Sequence, residues 1–280
     1  MDAIVIQLLP HVLAATAYAA LGFHFWNTRW REAAGAAVVP LSMQPWERAA
    51  IGLVLVVHAF ALHAPLFGGE GMHFSFSLAL SLILWLAVLI YGLESFRSRM
   101  DGLQPLVLPL AALCTVLPAF FRQTHLIAHA DATGFKLHFL AAMLAYSLFT
   151  LAALHAVFMS IAEQALHRRT LSRRLASLPP LLSMESLLFH MLRIGFALLT
   201  LTLASGIFFS EAIFGKAIPF DHKRVFAFLS WGIFAALLIG RHAWGWRGRK
   251  ALYWTLAGFL SLLLAYVGTR FAFEVVFGRI

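Results

Sequence analysis

The chain of 280 residues has little charge and almost no cysteine. Only 12% of its residues are Asp, Glu, Lys or Arg, against about 25% in soluble proteins, whereas 61% are hydrophobic. These charges are too few to form the surface of a soluble fold. The single cysteine, Cys114, excludes a disulfide framework, a CxxC redox pair, a CxxCH haem attachment and a thiolate metal cluster. The remaining class is a polytopic membrane protein.

Long apolar segments are what the sequence has instead. A bilayer core needs about 20 apolar residues per helix, and segments of this kind lie at about 5–25, 48–67, 74–93, 105–121, 138–161, 189–210, 225–241 and 252–274. The fourth segment is short and contains three prolines, so we expect it to be kinked or partly re-entrant. We therefore predict an all-α bundle of about eight transmembrane helices, in which residues 1–280 form one integral membrane domain.

The basic residues predict how these helices are oriented. Loops 26–47, 94–104, 162–188 and 242–251, with two arginines at helix ends, carry 13 of the 21 Lys and Arg residues. Because cytoplasmic loops are enriched in Lys and Arg, we place both termini on the outer, periplasmic side. We expect loop 162–188 to form a short helix along the membrane surface. The net charge of +9 then reflects topology and attraction to anionic lipids, and nothing indicates nucleic-acid binding.

Histidine is unusually abundant, with 13 residues against 12 acidic ones. Ionisable groups are costly in hydrocarbon and usually serve a function, so this surplus predicts a ligand site. Seven histidines lie at or near the outer side, namely His11, His63, His73, His125, His129, His138 and His222. His125 and His129 share a face if their loop is helical. His58 and His63 fall on different faces of one helix, and we interpret them as packing or gating residues.

His138 and His222 are the best placed of the outer histidines. His138 opens the fifth apolar segment, and His222 precedes the seventh, in FDHKRVFAF. Two imidazoles at the outer ends of two helices, near aromatic residues, are typical of axial ligation of haem iron. Lys216, Lys223 and Arg224 would then pair with the haem propionates. For each histidine, a hydrogen bond between helices remains the alternative.

Catalytic motifs are absent from the sequence. It has no GxSxG, HExxH, GxxxxGK[ST] or GxGxxG motif. Acidic residues within the spans are almost absent as well, and a carrier coupled to protons or sodium ions usually needs a buried carboxylate. We therefore predict that the protein is not an enzyme, and a transporter is disfavoured.

The last third of the chain resembles a known family. The segments FGKAIPFDHKRVFAFLSW and GWRGRKALYWTLAGFLSLLLAYVG are similar to the cytochrome c assembly family of the CcsA/ResC/CcmC type. The resemblance is closest to its short branch of HemX-like and YpjD-like inner-membrane proteins. It extends over about residues 50–275 in layout and is sharpest over 206–270, which resembles a degenerate form of the family's Trp-rich, haem-handling core. His138 before an AxxxAYxxF helix and the closing Tyr266 and Gly268 also fit.

The resemblance implies that a loop of the form WGxxWxWDxxE presents haem on the outer side. In this sequence Phe214, Ile218 and Phe220 stand at the tryptophan positions, Asp221 keeps the Asp, and Arg224 replaces the Glu. The loop keeps apolar side chains but loses the three indole N–H donors.

The resemblance also implies haem-ligating histidines on either side of the loop. His138 matches the first of them, and no histidine follows the eighth segment. His222, next to Asp221, is our candidate for the second ligand, from its position alone. The family also has a histidine within the membrane, and His242 stands about one helical turn away from the position that corresponds to it. Trp231 matches a tryptophan in the helix after the loop.

Together these features predict a haem-binding or haem-handling protein of the bacterial inner membrane, with non-covalent haem b between His138 and His222. Besides the lipid bilayer, the expected partners are apocytochrome c or other cytochrome-assembly proteins. One alternative is a membrane regulator that acts through basic cytoplasmic loops on a haem-biosynthetic enzyme. Another is a transporter of a small molecule or tetrapyrrole.

Overall fold

A computed structural model of the chain describes residues 2–30, 43–67, 72–96, 102–121, 125–127, 130, 132–167, 180–214, 222–268 and 271. The helices in this part are α1 (Asp2–Phe25), α2 (Pro45–Phe67), α3 (Phe76–Glu94), α4 (Gln104–Phe120), α5 (Thr133–His167), α6 (Leu181–Phe214), α7 (His222–Trp244) and α8 (Arg249–Leu263). The strands are β1 (Met72–Phe74) and β2 (His125–Ile127). Short π-helical turns, Trp26–Trp30 and Leu264–Gly268, extend α1 and α8.

Each predicted apolar segment corresponds to one of these helices. Seven helices in the described ranges are long and apolar enough to cross a membrane, and α4, with 17 residues, is a shorter apolar helix. Although Pro109 and Pro118 lie inside it, α4 is helical throughout, and Pro105 occupies its first turn, where a missing N–H removes no hydrogen bond. The prediction of an all-α membrane bundle is confirmed.

Helices α5 and α6 are longer than their apolar segments. Residues 162–167 continue α5 and residues 181–188 begin α6. These parts of the predicted cytoplasmic loop therefore belong to two long helices. Hydropathy detects only the part of a helix that crosses the hydrocarbon core, and both helices continue beyond it with polar residues. The middle of the loop, 168–179, lies outside the described residues, and so do the arginines on which the regulatory alternative depends.

The two strands join the loops that follow α2 and α4. They pair antiparallel, with His73 opposite Leu126 and Phe74 opposite His125. The helical arrangement considered for His125 and His129 is therefore wrong at residues 125–127, which are extended, while His129 lies outside the described residues. Strands this short leave no periodic pattern that could have predicted them.

Packing arranges the helices in two groups joined by α3. Helix α1 packs against α2 and α4, while α5 packs against α6 and α8, and α7 against α6 and α8. Helix α3 contacts α4 on one side and α5 on the other. The rings of Phe149 in α5 and Phe234 in α7 are stacked, with centroids 3.9 Å apart. Because Gly195 of α6 and Gly258 of α8 lie directly against these rings, all four helices of the second group approach closely.

Two histidines are buried in the first group, where they hydrogen-bond other helices. His58 is fully buried, with Nε2 2.9 Å from Oγ of Ser81 and Nδ1 3.3 Å from Oη of Tyr18. The Nδ1 atom of His11 lies 2.9 Å from the carbonyl oxygen of Thr115. These contacts agree with a packing role for His58.

Candidate functional site

A cavity of about 460 Å³ lies between α5, α6, α7, α8 and the two strands. It is located at the strand end of the bundle, by which we mean the end where β1 pairs with β2 and where α5 and α7 begin. Its volume is within the range of about 300–1,000 Å³ that is typical of small-molecule sites. The topology predicted from the basic residues places this end on the outer side.

The cavity has aromatic walls. Phe74 of β1 contacts the ring of Phe139 in α5, with centroids 5.1 Å apart, and the ring of Tyr266 at 6.2 Å. Phe135, one turn before Phe139, stacks on it at 6.0 Å. The strand pair therefore presses an aromatic side chain against α5 and the end of α8, and an apolar ligand would meet rings on several sides.

His138 lies on the cavity wall. Because α5 begins at Thr133, the histidine is more than one turn inside the helix rather than at its first residue. Its Nδ1 atom is 2.8 Å from Oγ of Ser205 in α6. A Cβ atom added to Gly206 would lie 3.4 Å from Cε1 of His138, so α6 is in direct contact with the imidazole.

Two cationic side chains line the same cavity from the first turn of α7. Lys223 and Arg224 are both lining residues. The Nζ atom of Lys223 is 4.9 Å from the centroid of the Tyr266 ring, and the lysine is near enough to His138 to interact with it electrostatically. An aromatic cavity with an imidazole and two cations suits an amphipathic ligand that carries acidic groups.

The wall of the cavity formed by α6 and α7 includes partly exposed residues. Ile207 of α6 and Phe228 of α7 line it, yet 37% and 42% of their surfaces are exposed. Both lie in helices that are apolar and long enough to cross a membrane, so lipid would contact this wall.

Other residues predicted for the site lie outside this cavity. His222 is the first residue of α7 and is exposed, although Lys223 and Arg224 directly after it line the cavity. Trp231 is about two turns further along α7, where its Nε1 donates to Oγ1 of Thr200 at 2.9 Å and its ring stacks on Phe196.

His242 lies at the opposite end of α7, in its last turn, and is exposed. At 1.5 Å per residue it is about 30 Å from His222. The side chain of Phe214 and residues Phe220 and Asp221 lie outside the described part of the chain. The roles of these residues stay predictions.

Sequence reasoning did not select Ser205 or Tyr146 for the site. Ser205 stands between Ala204 and Gly206, a run of small residues that allows α5 to approach α6 closely. The hydroxyl of Tyr146 donates to the carbonyl oxygen of Leu262 at 3.0 Å and thereby joins α5 to α8 beside the cavity. Tyr146 is the tyrosine of the AxxxAYxxF motif, so the family resemblance could have identified it as a site residue.

The fold and this site define a multi-pass helical membrane protein with an aromatic, imidazole-containing cavity at one end of its bundle. The chain belongs to the cytochrome c assembly protein family, whose sequence profile matches residues 46–276.

Individual relatives agree with this assignment. The chain is 32% identical over 250 residues to the inner membrane protein YpjD of Escherichia coli strain K12, which covers 86% of this chain and 94% of YpjD. It is 28% identical over 207 residues to an uncharacterized 28.8 kDa protein of Azospirillum brasilense, which covers 71% and 76% of the two chains. An 88-residue region is 39% identical to the cytochrome c biogenesis protein CcsA of Prochlorococcus marinus strain MIT 9301, covering 31% of this chain and 28% of CcsA. The predicted family, its YpjD-like branch and the multi-pass inner-membrane location are confirmed.

Proposed function

We propose that this protein binds haem b non-covalently in the cavity at the strand end, with His138 as an axial ligand. The observation that carries the proposal is the position of His138 in an aromatic cavity that Lys223 and Arg224 also line. The family and the CcsA relative support it, because their names refer to the assembly of cytochrome c, a haem protein.

The residues present fit such a ligand. Imidazole is a common axial ligand of haem iron. Phe74, Phe139 and Tyr266 offer apolar contact to a porphyrin ring, and the cations of α7 offer charge-assisted hydrogen bonds to its two propionates. Bound haem would supply the iron centre, while the chain binds it, orients it and keeps it away from water.

In this proposal the protein handles haem and does not catalyse a reaction. Haem held at the predicted outer side would be available to apocytochrome c or to other assembly proteins there. His222 is the proposed second axial ligand, and since its side chain is exposed, it would have to turn toward the cavity when haem binds.

The test is to load the purified protein with haem in detergent, to remove unbound haem by gel filtration, and then to record the optical spectrum of the protein. We expect a Soret band for the wild-type chain and its loss in His138→Ala. His190→Ala is the matched control, because His190 is exposed on α6 away from the cavity, and its spectrum should equal that of the wild type. A wild-type protein that gives no Soret band after haem loading would refute the proposal.

The second ligand is tested separately with His222→Ala. If His222 ligates iron, this variant keeps haem but changes from a six-coordinate to a five-coordinate spectrum. An unchanged spectrum would remove His222 from the site and leave His138 in place.

A further inference from the structure

The hydroxyl of Ser205 has three polar neighbours. Its Oγ atom is 2.8 Å from Nδ1 of His138, 2.7 Å from the carbonyl oxygen of Leu201 and 3.1 Å from that of Thr202. The two carbonyls belong to the preceding turn of α6, whereas the imidazole comes from α5.

These distances determine which group donates. A serine hydroxyl has one hydrogen, and a carbonyl oxygen only accepts. The hydrogen of Ser205 is therefore directed at the carbonyls of its own helix, as is usual for serine in a helix interior. If it pointed at His138 instead, Oγ would face the Leu201 oxygen at 2.7 Å with no hydrogen between them. The Ser205 oxygen must then accept a hydrogen bond from the ring.

We infer that Ser205 is the positioning residue of the site: it holds His138 in the tautomer that is protonated at Nδ1, so that Nε2 is the atom that binds iron. The part about iron rests on the proposed function, whereas the tautomer does not. A histidine ligand commonly donates its second N–H to a neighbouring acceptor, which fixes the ring and makes the ligating nitrogen more basic.

The surrounding helix supports this role. Ser205 lies inside α6, where its hydroxyl is held by the carbonyl oxygens of Leu201 and Thr202, and the ring edge of His138 lies near Gly206 of the same turn. The imidazole of α5 is thus oriented by a side chain of α6, so the iron-binding histidine is placed by two packed helices and not by a loop.

The experiment reads the tautomer directly and without haem. Full-length protein labelled with ¹⁵N-histidine is purified in detergent, and the ring nitrogens of His138, assigned with His138→Ala, are observed by long-range ¹H–¹⁵N correlation. We expect protonation at Nδ1 in the wild type, a shift toward a mixture of the two tautomers in Ser205→Ala, and recovery in Ser205→Thr, which keeps a hydroxyl. Ser183→Ala, an exposed serine in the first turn of α6, is the control and should match the wild type.

The outcomes separate this inference from the proposed function. Protonation of wild-type His138 at Nε2, or a Ser205→Ala spectrum identical to that of the wild type, overturns the inference even if haem binds. An Nδ1-protonated ring in a protein that takes up no haem refutes the proposed function and leaves the tautomer assignment standing. In haem-loaded protein, Ser205→Ala is further expected to raise the reduction potential, because the axial imidazole becomes less basic.

Discussion

Lys223 and Arg224 supply the positive charge of the cavity, and their effect on ligand choice can be measured. A partly exposed ion pair contributes about 0.2–1 kcal/mol, so each change to Gln is expected to raise the Kd for haem by up to about fivefold. Haem dimethyl ester has no carboxylate, and its affinity should therefore be the same for the wild type and both variants. Equal weakening of haem and ester binding would show that the two residues act by packing rather than by charge.

Glu47 is the most buried acidic side chain among those described, and it joins α2 to the end of α1. Its Oε2 atom is 2.8 Å from Nη2 of Arg29, and its Oε1 atom is 2.9 Å from Nε2 of His24. The backbone N–H of Gln44 donates to the same carboxylate at 2.7 Å. Arg29, which the sequence assigns to a cytoplasmic loop, is 1% exposed, so it belongs to the protein interior.

Removing the charge of Glu47 is expected to destabilise the protein strongly. Glu47→Gln removes the negative charge 2.8 Å from the buried Arg29 guanidinium, and removing one partner of a buried ion pair costs about 3–5 kcal/mol in comparable cases. Glu163→Gln is the control, because Glu163 pairs with an arginine that is 63% exposed, and such pairs contribute at most about 1 kcal/mol. Thermal unfolding in detergent, followed by tryptophan fluorescence, should show a clearly larger loss of Tm for Glu47→Gln. Similar losses for both variants would contradict this account of Arg29.

At the scale of helices, the contact between α7 and α8 depends on the absence of a side chain at Gly258. A Cβ atom there would lie 2.8 Å from the ring of Phe234, which is itself stacked on Phe149. Gly258→Ala should therefore separate α8 from α7 and lower stability by about 1–3 kcal/mol. Gly232→Ala on α7 meets no atom within 4 Å and is expected to be neutral or slightly stabilising. The comparison is made by thermal unfolding, and a Gly258→Ala protein as stable as Gly232→Ala would contradict the packing described here.

The helices also show how much of the fold could be predicted from the sequence. The eight helices were predictable because a bilayer requires a minimum apolar length, which hydropathy detects. Their ends were not, since α5 and α6 continue past that length with polar residues. His138 was predicted as a site residue, whereas the role of Ser205 and the pairing of β1 with β2 were not. Ser205 reaches His138 only because α6 packs against α5, and the strands form only because two distant loops meet. A local sequence pattern does not contain such tertiary contacts.

For the whole molecule, the orientation of the bundle decides where the cavity faces. The basic loops predict that the strand end is outside and that the α7–α8 connection is cytoplasmic. Two exposed positions, one at each end of the bundle, can be used to test this orientation by cysteine labelling. Leu126 on β2 is 61% exposed, and the side chain of Arg247 between α7 and α8 is 63% exposed. Because Cys114 is the single cysteine and is buried, Cys114→Ala provides a background free of reactive thiols.

In that background we expect a membrane-impermeant maleimide to label Leu126→Cys on intact spheroplasts, and to label Arg247→Cys only after the membrane is broken. The unsubstituted Cys114→Ala protein is the control for background reaction. Labelling in the reverse order would place the cavity on the cytoplasmic side. Haem bound beside His138 would then face the compartment in which haem is made, and its transfer to an acceptor on the outer side would be excluded for this site. The orientation therefore decides between haem presentation and haem capture, even though both would use the same residues.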